Sequence, residues 1–380
     1  MIKAAYLHIP FCEHICYYCD FNKVFLKGQP VDEYLQAIEQ EMKMTLQEAP
    51  SKELDTIFVG GGTPTSLNEQ QLERFCQSIN DNLSKSMNNE FTFEANPGDL
   101  SEEKLQILKD AGVNRISLGV QTFNDELLKK IGRVHRAKDV YQTIEKIKSI
   151  GFENISIDLI YSLPTQTLND FKETLDIALS LDLPHYSAYS LIIEPKTVFY
   201  NLMRKGKLST PGEDVEAQMY EVLMDQMEKH GLHQYEISNF SKPGFESRHN
   251  LTYWNNEYYY GFGAGAHCYV DGFRQSNIGP VRKYIDTLNS EELPILENHL
   301  VPQSEQMEEE MFLGLRKTSG VSISRFIQKF DRDPLNLFAA EMNDLIEKKW
   351  IEIKGDKIYL TKQGRLLGNE VFQMFLGVFD

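Results

Sequence analysis

The sequence predicts an α/β fold: an incomplete (β/α)6 barrel followed by a smaller C-terminal winged-helix-like module. Three observations predict it. Short apolar runs alternate with amphipathic stretches six times within the first 212 residues, the pattern of parallel strands joined by crossover helices. Glycine and polar residues gather just after these apolar runs, where a β/α barrel opens its loops onto one face. The alternation ends near Glu213, and beyond a second shift between Leu293 and Gln306 the chain reads as helices and a hairpin.

The six strand-like runs are Ala4–Ile9, Thr56–Val59, Phe91–Glu94, Arg115–Gly119, Ile155–Ile160 and His185–Leu191. Between them Val31–Gln47, Glu69–Asn82, Glu102–Asp110, Ala137–Ile150 and Leu168–Leu181 carry apolar residues at helical spacing. Asn68 and Ser101 are placed as N-caps, and Gly112 and Gly151 as helix-ending glycines. Residues 1–212 are therefore read as the partial barrel. Residues 213–298 form an extension that opens with a helix over Asp214–His230 and continues into an aromatic-rich stretch, Tyr235 to Tyr269. Residues 299–380 form the C-terminal module, with helices over Glu308–Lys317, Ser324–Phe330 and Leu335–Lys348 and a hairpin of Trp350–Ile353 and Lys357–Leu360 turning at Gly355-Asp356.

The 380 residues carry 39 basic and 56 acidic side chains, a net charge of −17. So acidic a chain argues against nucleic-acid binding and against electrostatic docking on anionic lipid. His8 and Pro10 interrupt the apolar start, so no secretory signal is expected. No run approaches the roughly 20 apolar residues that span a bilayer. Val371–Phe379 reads as a buried helix end, with a contact to a membrane surface or a partner as the alternative. A cytoplasmic protein, peripheral to the membrane at most, is the expectation.

Three of the five cysteines lie within eight residues, Cys12-Glu-His-Ile-Cys16-Tyr-Tyr-Cys19. Three thiolates hold a cubane [4Fe-4S] cluster and leave one iron open, whereas electron-transfer clusters take four. An open iron accepts hard N and O donors, such as the amino and carboxylate groups of S-adenosylmethionine (SAM). A zinc knuckle with His14 or a distant fourth ligand is the alternative, although zinc sites usually come as two close pairs. Cys76 and Cys268 have no nearby companion, and sparse free thiols fit a reducing cytosol.

The C-x3-C-x2-C spacing resembles the signature of the radical SAM superfamily. The run from Tyr6 to Phe21 resembles its oxygen-independent coproporphyrinogen III oxidase branch, and the likeness extends almost the full length. In that branch SAM chelates the open iron and is cleaved to a 5′-deoxyadenosyl radical. The resemblance implies SAM contacts at Tyr6, Tyr18, Gly61, Gly62, Thr63, Glu94, Gln121, Arg133, Asp158 and Ile192, and cluster ligation by Cys12, Cys16 and Cys19. It assigns no catalytic residue. An electron donor for the cluster is implied, and a homodimer is left open.

Two features depart from the decarboxylating members of the branch. They carry a further cysteine two residues beyond the cluster motif, where this chain has Phe21, and a longer N-terminal extension; here the first cluster cysteine is residue 12. Oxidative decarboxylation of coproporphyrinogen III is the alternative function, and both departures count against it. Arg248-His-Asn-Leu-Thr-Tyr-Trp254 resembles instead a motif of the haem-chaperone members. Imidazole is a common axial ligand of haem iron and aromatic rings pack against a macrocycle, so the resemblance implies haem at His249, with His267 and Cys268 as other candidate ligands. The implied function is binding of haem and its transfer to an acceptor haemoprotein, one at the membrane included.

Overall fold

The computed structural model describes residues 1–379. Six parallel strands, β1 (Ala4–Ile9), β2 (Leu54–Gly61), β3 (Lys85–Ala95), β4 (Arg115–Gln121), β5 (Asn154–Tyr161) and β6 (His185–Ser190), each pair with the next. The helices α1 (Val31–Glu48), α2 (Glu69–Asn82), α3 (Glu102–Asp110), α4 (Asp125–Lys130), α5 (Ala137–Ser149) and α6 (Leu168–Ser180) lie in the crossovers. The caps explain where they start and stop. Asn68 and Gln71 form a reciprocal capping box at α2, Ser101 accepts from the Lys104 N–H at α3, and Gly112 and Gly151 adopt positive φ just beyond α3 and α5.

Alternate residues of each barrel strand have opposite character. Ile57, Val59, Phe91, Phe93, Ile116, Leu118, Ile155 and Ile157 are buried in one core with Ile38, Phe75, Leu105 and Leu108 from the helices. The residues between them are mostly polar: Thr56, Glu90, Thr92, Glu94, Arg115, Ser117, Ser156, Asp158, His185 and Ser187. Period-two alternation therefore puts the apolar side chains against the helices and the polar ones inside the barrel.

The extension does not stand apart. After α7 (Val198–Arg204) and α8 (Glu213–Lys229) come β7 (His233–Glu236), β8 (Asn239–Ser241), α9 (Arg248–Trp254), β9 (Tyr259–Phe262), β10 (His267–Val270), β11 (Phe273–Asn277), α10 (Val281–Asn289) and β12 (Ile295–Leu300). Their strands extend the barrel sheet at both edges, in the order β12-β11-β10-β9-β1-β2-β3-β4-β5-β6-β8-β7. Strand β9 runs parallel to β1, and the added pairs beyond it are antiparallel. The boundary expected at 298 thus falls inside β12.

A second core gathers Met311, Phe326, Phe338, Leu345, Ile358 and Phe375. Around it fold α11 (Gln303–Gly314), further short helices and the predicted hairpin, observed as Ile351–Lys354 with Lys357–Leu360. The helix expected over Leu335–Lys348 is two, Pro334–Leu337 and Ala339–Glu347, which meet where the Phe338 ring enters this core. Val371, Phe372 and Phe375 are buried against it, as expected of the apolar tail. Among the described residues no helix is long and apolar enough to cross a membrane.

One buried carboxylate fastens the extension to the barrel. Glu41 on α1 accepts hydrogen bonds from the Gly263 N–H (2.7 Å), Asn277 Nδ2 (2.5 Å) and Tyr284 Oη (2.5 Å). Burial pushes its pKa up to about 7, against the lowering effect of these donors. Next to it Tyr34 Oη donates to the His8 carbonyl (2.7 Å) and accepts from the Ala264 N–H (2.9 Å). Glu41→Ala leaves three buried donors without an acceptor and is expected to cost about 3 kcal/mol of folding stability, measured by denaturant unfolding. A loss within experimental error would show that these bonds do not hold the extension.

Candidate functional site

The cysteine loop leaves β1 at the C-terminal end of the barrel and is held at several points. Phe11–Cys12 and Val24–Phe25 pair as two-residue parallel strands at its two ends. The Tyr17 N–H donates to the Ile131 carbonyl and the Phe199 N–H to the Tyr17 carbonyl, both at 3.0 Å. Asn22 Nδ2 donates to the carbonyls of Ala264 (2.7 Å) and Gly279 (2.9 Å). His8 supports the loop from below. Its Nε2–H donates to the Asn22 carbonyl (2.7 Å), so its Nδ1 accepts from Tyr6 Oη (3.0 Å). Burial lowers the His8 pKa and keeps the ring neutral.

Cys12, Cys16 and Cys19 line one cavity together with Gly61, Gly62, Thr63, Glu94, Gln121, Arg133 and Asp158. Thr63 Oγ1 donates to Cys12 Sγ (3.6 Å) and Arg133 Nη1 to Cys16 Sγ (3.5 Å). Burial pushes the Cys12 thiol up and the Cys19 thiol to about 11, protons that iron ligation displaces. Among the described residues no three His, Cys, Asp or Glu side chains converge on the point a single metal ion would occupy. A cubane spreads its thiolates over separate irons, and the three cysteines that line this cavity are a donor set of that kind.

The glycine triplet forms the opposite wall. A Cβ on Gly60 would meet Glu94 Oε2 at 2.7 Å, one on Gly61 (φ +116°) the His8 ring at 2.5 Å, and one on Gly62 the Pro10 and Phe11 backbone at 2.8 Å. Only bare backbone fits there. The Gly61 N–H donates to Glu94 Oε2 (3.1 Å), and Ser117 Oγ donates to Asp158 Oδ1 (3.3 Å). Burial first, and then the charge of Asp158, push Glu94 up to about 8; burial also raises Asp158. A cationic group entering between two such carboxylates is favoured.

Arg133 contributes the opposite charge. It donates to the Gly119 carbonyl as well as to Cys16, while its Nε is buried without a partner among the described residues. An unpaired guanidinium N–H in the cavity fits a carboxylate ligand, so the cavity fits both ends of an amino acid such as the methionyl part of SAM. Gln121 holds a left-handed backbone, φ +68°, at the end of β4. Such strain in a non-glycine residue collects at ligand sites.

The remaining expected contacts are placed unevenly. Tyr18 lies on the cavity wall beside Arg133 and Cys16. Tyr6 lies beneath, close to Glu94, with its phenol raised mainly by burial. Ile192 does not line the cavity; it is 65% exposed beyond β6. Asn96, Ser117 and Gly119 also line the cavity, and their positions at or just past the ends of β3 and β4 are the signal that finds them.

His249 lies inside the barrel and does not line the cluster cavity. It sits in the first turn of α9 and is 1% exposed. Its Nδ1 bonds with Thr56 Oγ1 (2.9 Å) and its Nε2 with Tyr253 Oη (2.8 Å), and it stacks on Phe58. Glu90 accepts from the N–H groups of Arg248 and His249, both at 3.0 Å, and so caps the helix inside the barrel. Burial lowers the His249 pKa to about 3. Both ring nitrogens are bonded and the ring is enclosed, so to ligate iron His249 would have to give up one of these bonds. Cys268 Sγ is likewise occupied, donating to Gln275 Oε1 (3.2 Å).

The pH dependence of stability tests the carboxylate environment. Glu94 holds its proton more tightly folded, at about 8, than in an unfolded chain, at an ordinary 4.5. Unfolding therefore releases a proton between these values, and stability falls as pH rises through that window. In protein free of cluster and SAM, Glu94→Gln is expected to flatten this fall, compared by denaturant unfolding at pH 6 and pH 9. An unchanged slope would place the titration elsewhere.

Known proteins resemble this chain over almost its whole length. Residues 6–178 match the Radical SAM superfamily and residues 301–367 the HemN C-terminal domain. The chain is 59% identical to the Heme chaperone HemW of Bacillus subtilis, covering 99% of this chain and all of the relative, and 50% identical to the protein of that name from Lactococcus lactis, covering 98% and 97%. The solved coproporphyrinogen III oxidase HemN of Escherichia coli superposes with a TM-score of 0.86 at 23% identity, over 98% of this chain and 90% of that one, a likeness of fold. The chain belongs to the radical SAM superfamily and, within it, to the family of the heme chaperone HemW.

Proposed function

We propose that this protein binds haem and passes it to an acceptor haemoprotein, from a scaffold that holds a [4Fe-4S] cluster on Cys12, Cys16 and Cys19 and SAM against the cavity wall. In this reading Glu94 and Asp158 face the amino and sulfonium charges of SAM. Arg133 takes its carboxylate, and the bare backbone of Gly61 and Gly62 admits it close to the sheet. Thr63, Gln121, Tyr18 and Tyr6 shape the pocket, and Ile192 approaches SAM only if the segment beyond β6 folds inward. Cluster and SAM together supply reductive cleavage of a sulfonium bond, for which an electron donor is needed. Delivery at a membrane, from a cytoplasmic protein able to dimerise, belongs to the same proposal.

The observation that carries the reading is Phe21. It lines the cavity mouth and is 60% exposed, where the decarboxylating members of the branch have a further cysteine. Phe25, Tyr17 and Val134 are also exposed on loops of that barrel face. Exposed apolar side chains beside a site mark contact with an apolar partner, and a tetrapyrrole is flat and largely apolar. The full-length likeness to proteins named heme chaperone supports the same conclusion.

Reconstituted protein is expected to take up haem saturably at near one equivalent and to restore the spectrum of an apo-haemoprotein mixed with it, followed by absorption. Coproporphyrinogen III should remain unconverted under anaerobic reducing conditions that support an active control. Decarboxylated product, or haem uptake that never saturates, would overturn the proposal.

A further inference from the structure

We infer that two neighbouring segments beside the barrel mouth, residues 129–138 and 195–212, dock the protein on an anionic lipid bilayer surface. This rests on the delivery step of the haem reading above and adds the surface that makes the contact. The two segments hold nine of the chain's 39 basic residues and none of its 56 acidic ones. The remainder of the chain is therefore even more acidic than the net charge of −17 implies. That net charge argues against lipid only as an average. Exposed charges farther apart than about 8 Å are largely screened from each other at physiological salt, so a bilayer meets the local surface.

Folding brings the two segments together. Leu128 and Ile131, at the end of α4, share a buried apolar cluster with Phe199 of α7, and Leu202 and Leu208 pack against it. Both segments also bond to Tyr17, through the Ile131 carbonyl and the Phe199 N–H, so the surface leans on the cysteine loop. Lys129, Lys130, Lys196, Arg204, Lys205 and Lys207 are exposed. Among the described residues none of these six pairs with a carboxylate. Val134, Val198 and Met203 stand exposed in the same segments. Arg133 alone of the two segments lines the cluster cavity, so the surface is separate from the SAM site.

Unpaired cations interleaved with single apolar side chains suit a surface that adapts to them. Each Lys or Arg beside anionic headgroups contributes about 1 kcal/mol, and apolar side chains enter the headgroup boundary. The same headgroups repel the acidic remainder of the chain. One orientation is thereby favoured, with the barrel mouth and the cysteine loop towards the bilayer.

The test is flotation of anaerobically reconstituted protein with vesicles of phosphatidylcholine alone and of phosphatidylcholine mixed with phosphatidylglycerol. The wild type is expected to float with the mixed vesicles, to be released from them by high salt, and to stay off phosphatidylcholine alone. Lys196→Glu, Arg204→Glu, Lys205→Glu and Lys207→Glu together should weaken binding roughly tenfold or more. The same reversal at Lys52, Lys146, Lys148 and Lys229, exposed towards the N-terminal ends of the strands, should change it by about twofold at most. Val198→Ser with Met203→Ser should weaken binding at unchanged charge. Unfolding curves and iron content confirm that each variant folds and loads its cluster. A wild type that floats with neither vesicle overturns the assignment, as does equal binding by the two charge-reversed proteins. If the wild type floats with neither and the first reversal slows haem transfer to a soluble apo-haemoprotein, the surface belongs to an acidic protein partner instead. Haem uptake by the same samples separates the two readings: uptake absent with flotation intact fails the haem reading, and flotation absent with uptake intact fails this one.

Discussion

Polar side chains line the inside of this barrel, and each buried one must be met by another. In the lower half Thr56, Glu90, Arg115, Ser156 and His185 point inward from neighbouring strands. The helix carrying His249 answers them. Glu90 caps its first turn, Thr56 bonds His249, and Tyr235, bonded to His185, accepts the Ser247 N–H. An unmet group in such a place costs about 1–3 kcal/mol, so this helix plugs the lower barrel with His249 and Thr252 buried. In the upper half Glu94, Ser117 and Asp158 follow the same strands towards the mouth, and the plug does not fill the space between them; the cavity begins there. One alternation along the strands thus builds structure at one level and a ligand site at the next.

The cluster loop depends on parts of the chain remote in sequence. Asn22 reaches Ala264 and Gly279, more than 240 residues on. That stretch is held in turn by Glu41 and Tyr34 on α1. Gly263 and Gly265 permit the approach, since a Cβ on Gly263 would meet the His8 carbonyl at 2.6 Å and one on Gly265 the Asn22 amide at 2.7 Å. The geometry of three thiols therefore expresses the packing of the extension against the barrel. Metal loading and folding of this seam should be coupled, as they are wherever a site is assembled by tertiary contacts.

Much of this was legible in the sequence. The six barrel strands, the caps at Asn68 and Ser101, and the hairpin around Gly355-Asp356 depend on local periodicity and turn chemistry, which a sequence displays directly. Cavity residues such as Glu94 and Asp158 were implied by the family resemblance, and their places at strand ends, which share one face in this fold, suit it. The edge pairing of β9 with β1 was not, since it depends on a contact between distant segments. Nor was the break at Phe338, where one ring entering the second core overrides helical spacing. Ile192 shows the limit for single positions: its place beyond β6 is set by a loop, and the loop leaves it in solvent.

The motif around His249 shows the same limit more sharply. An imidazole among aromatic residues has one appearance in sequence whether it is stacked inside a barrel or open to a macrocycle. Hydrogen bonding separates the two cases, because a histidine with both nitrogens engaged must give up a bond before it can bind iron. At His249 that bond would be one of those to Thr56 and Tyr253, so binding iron there would loosen the helix from the lower barrel. Iron binding there and the fit of this helix against the barrel would then be two readings of one equilibrium, with Glu90 and Thr56 setting its balance.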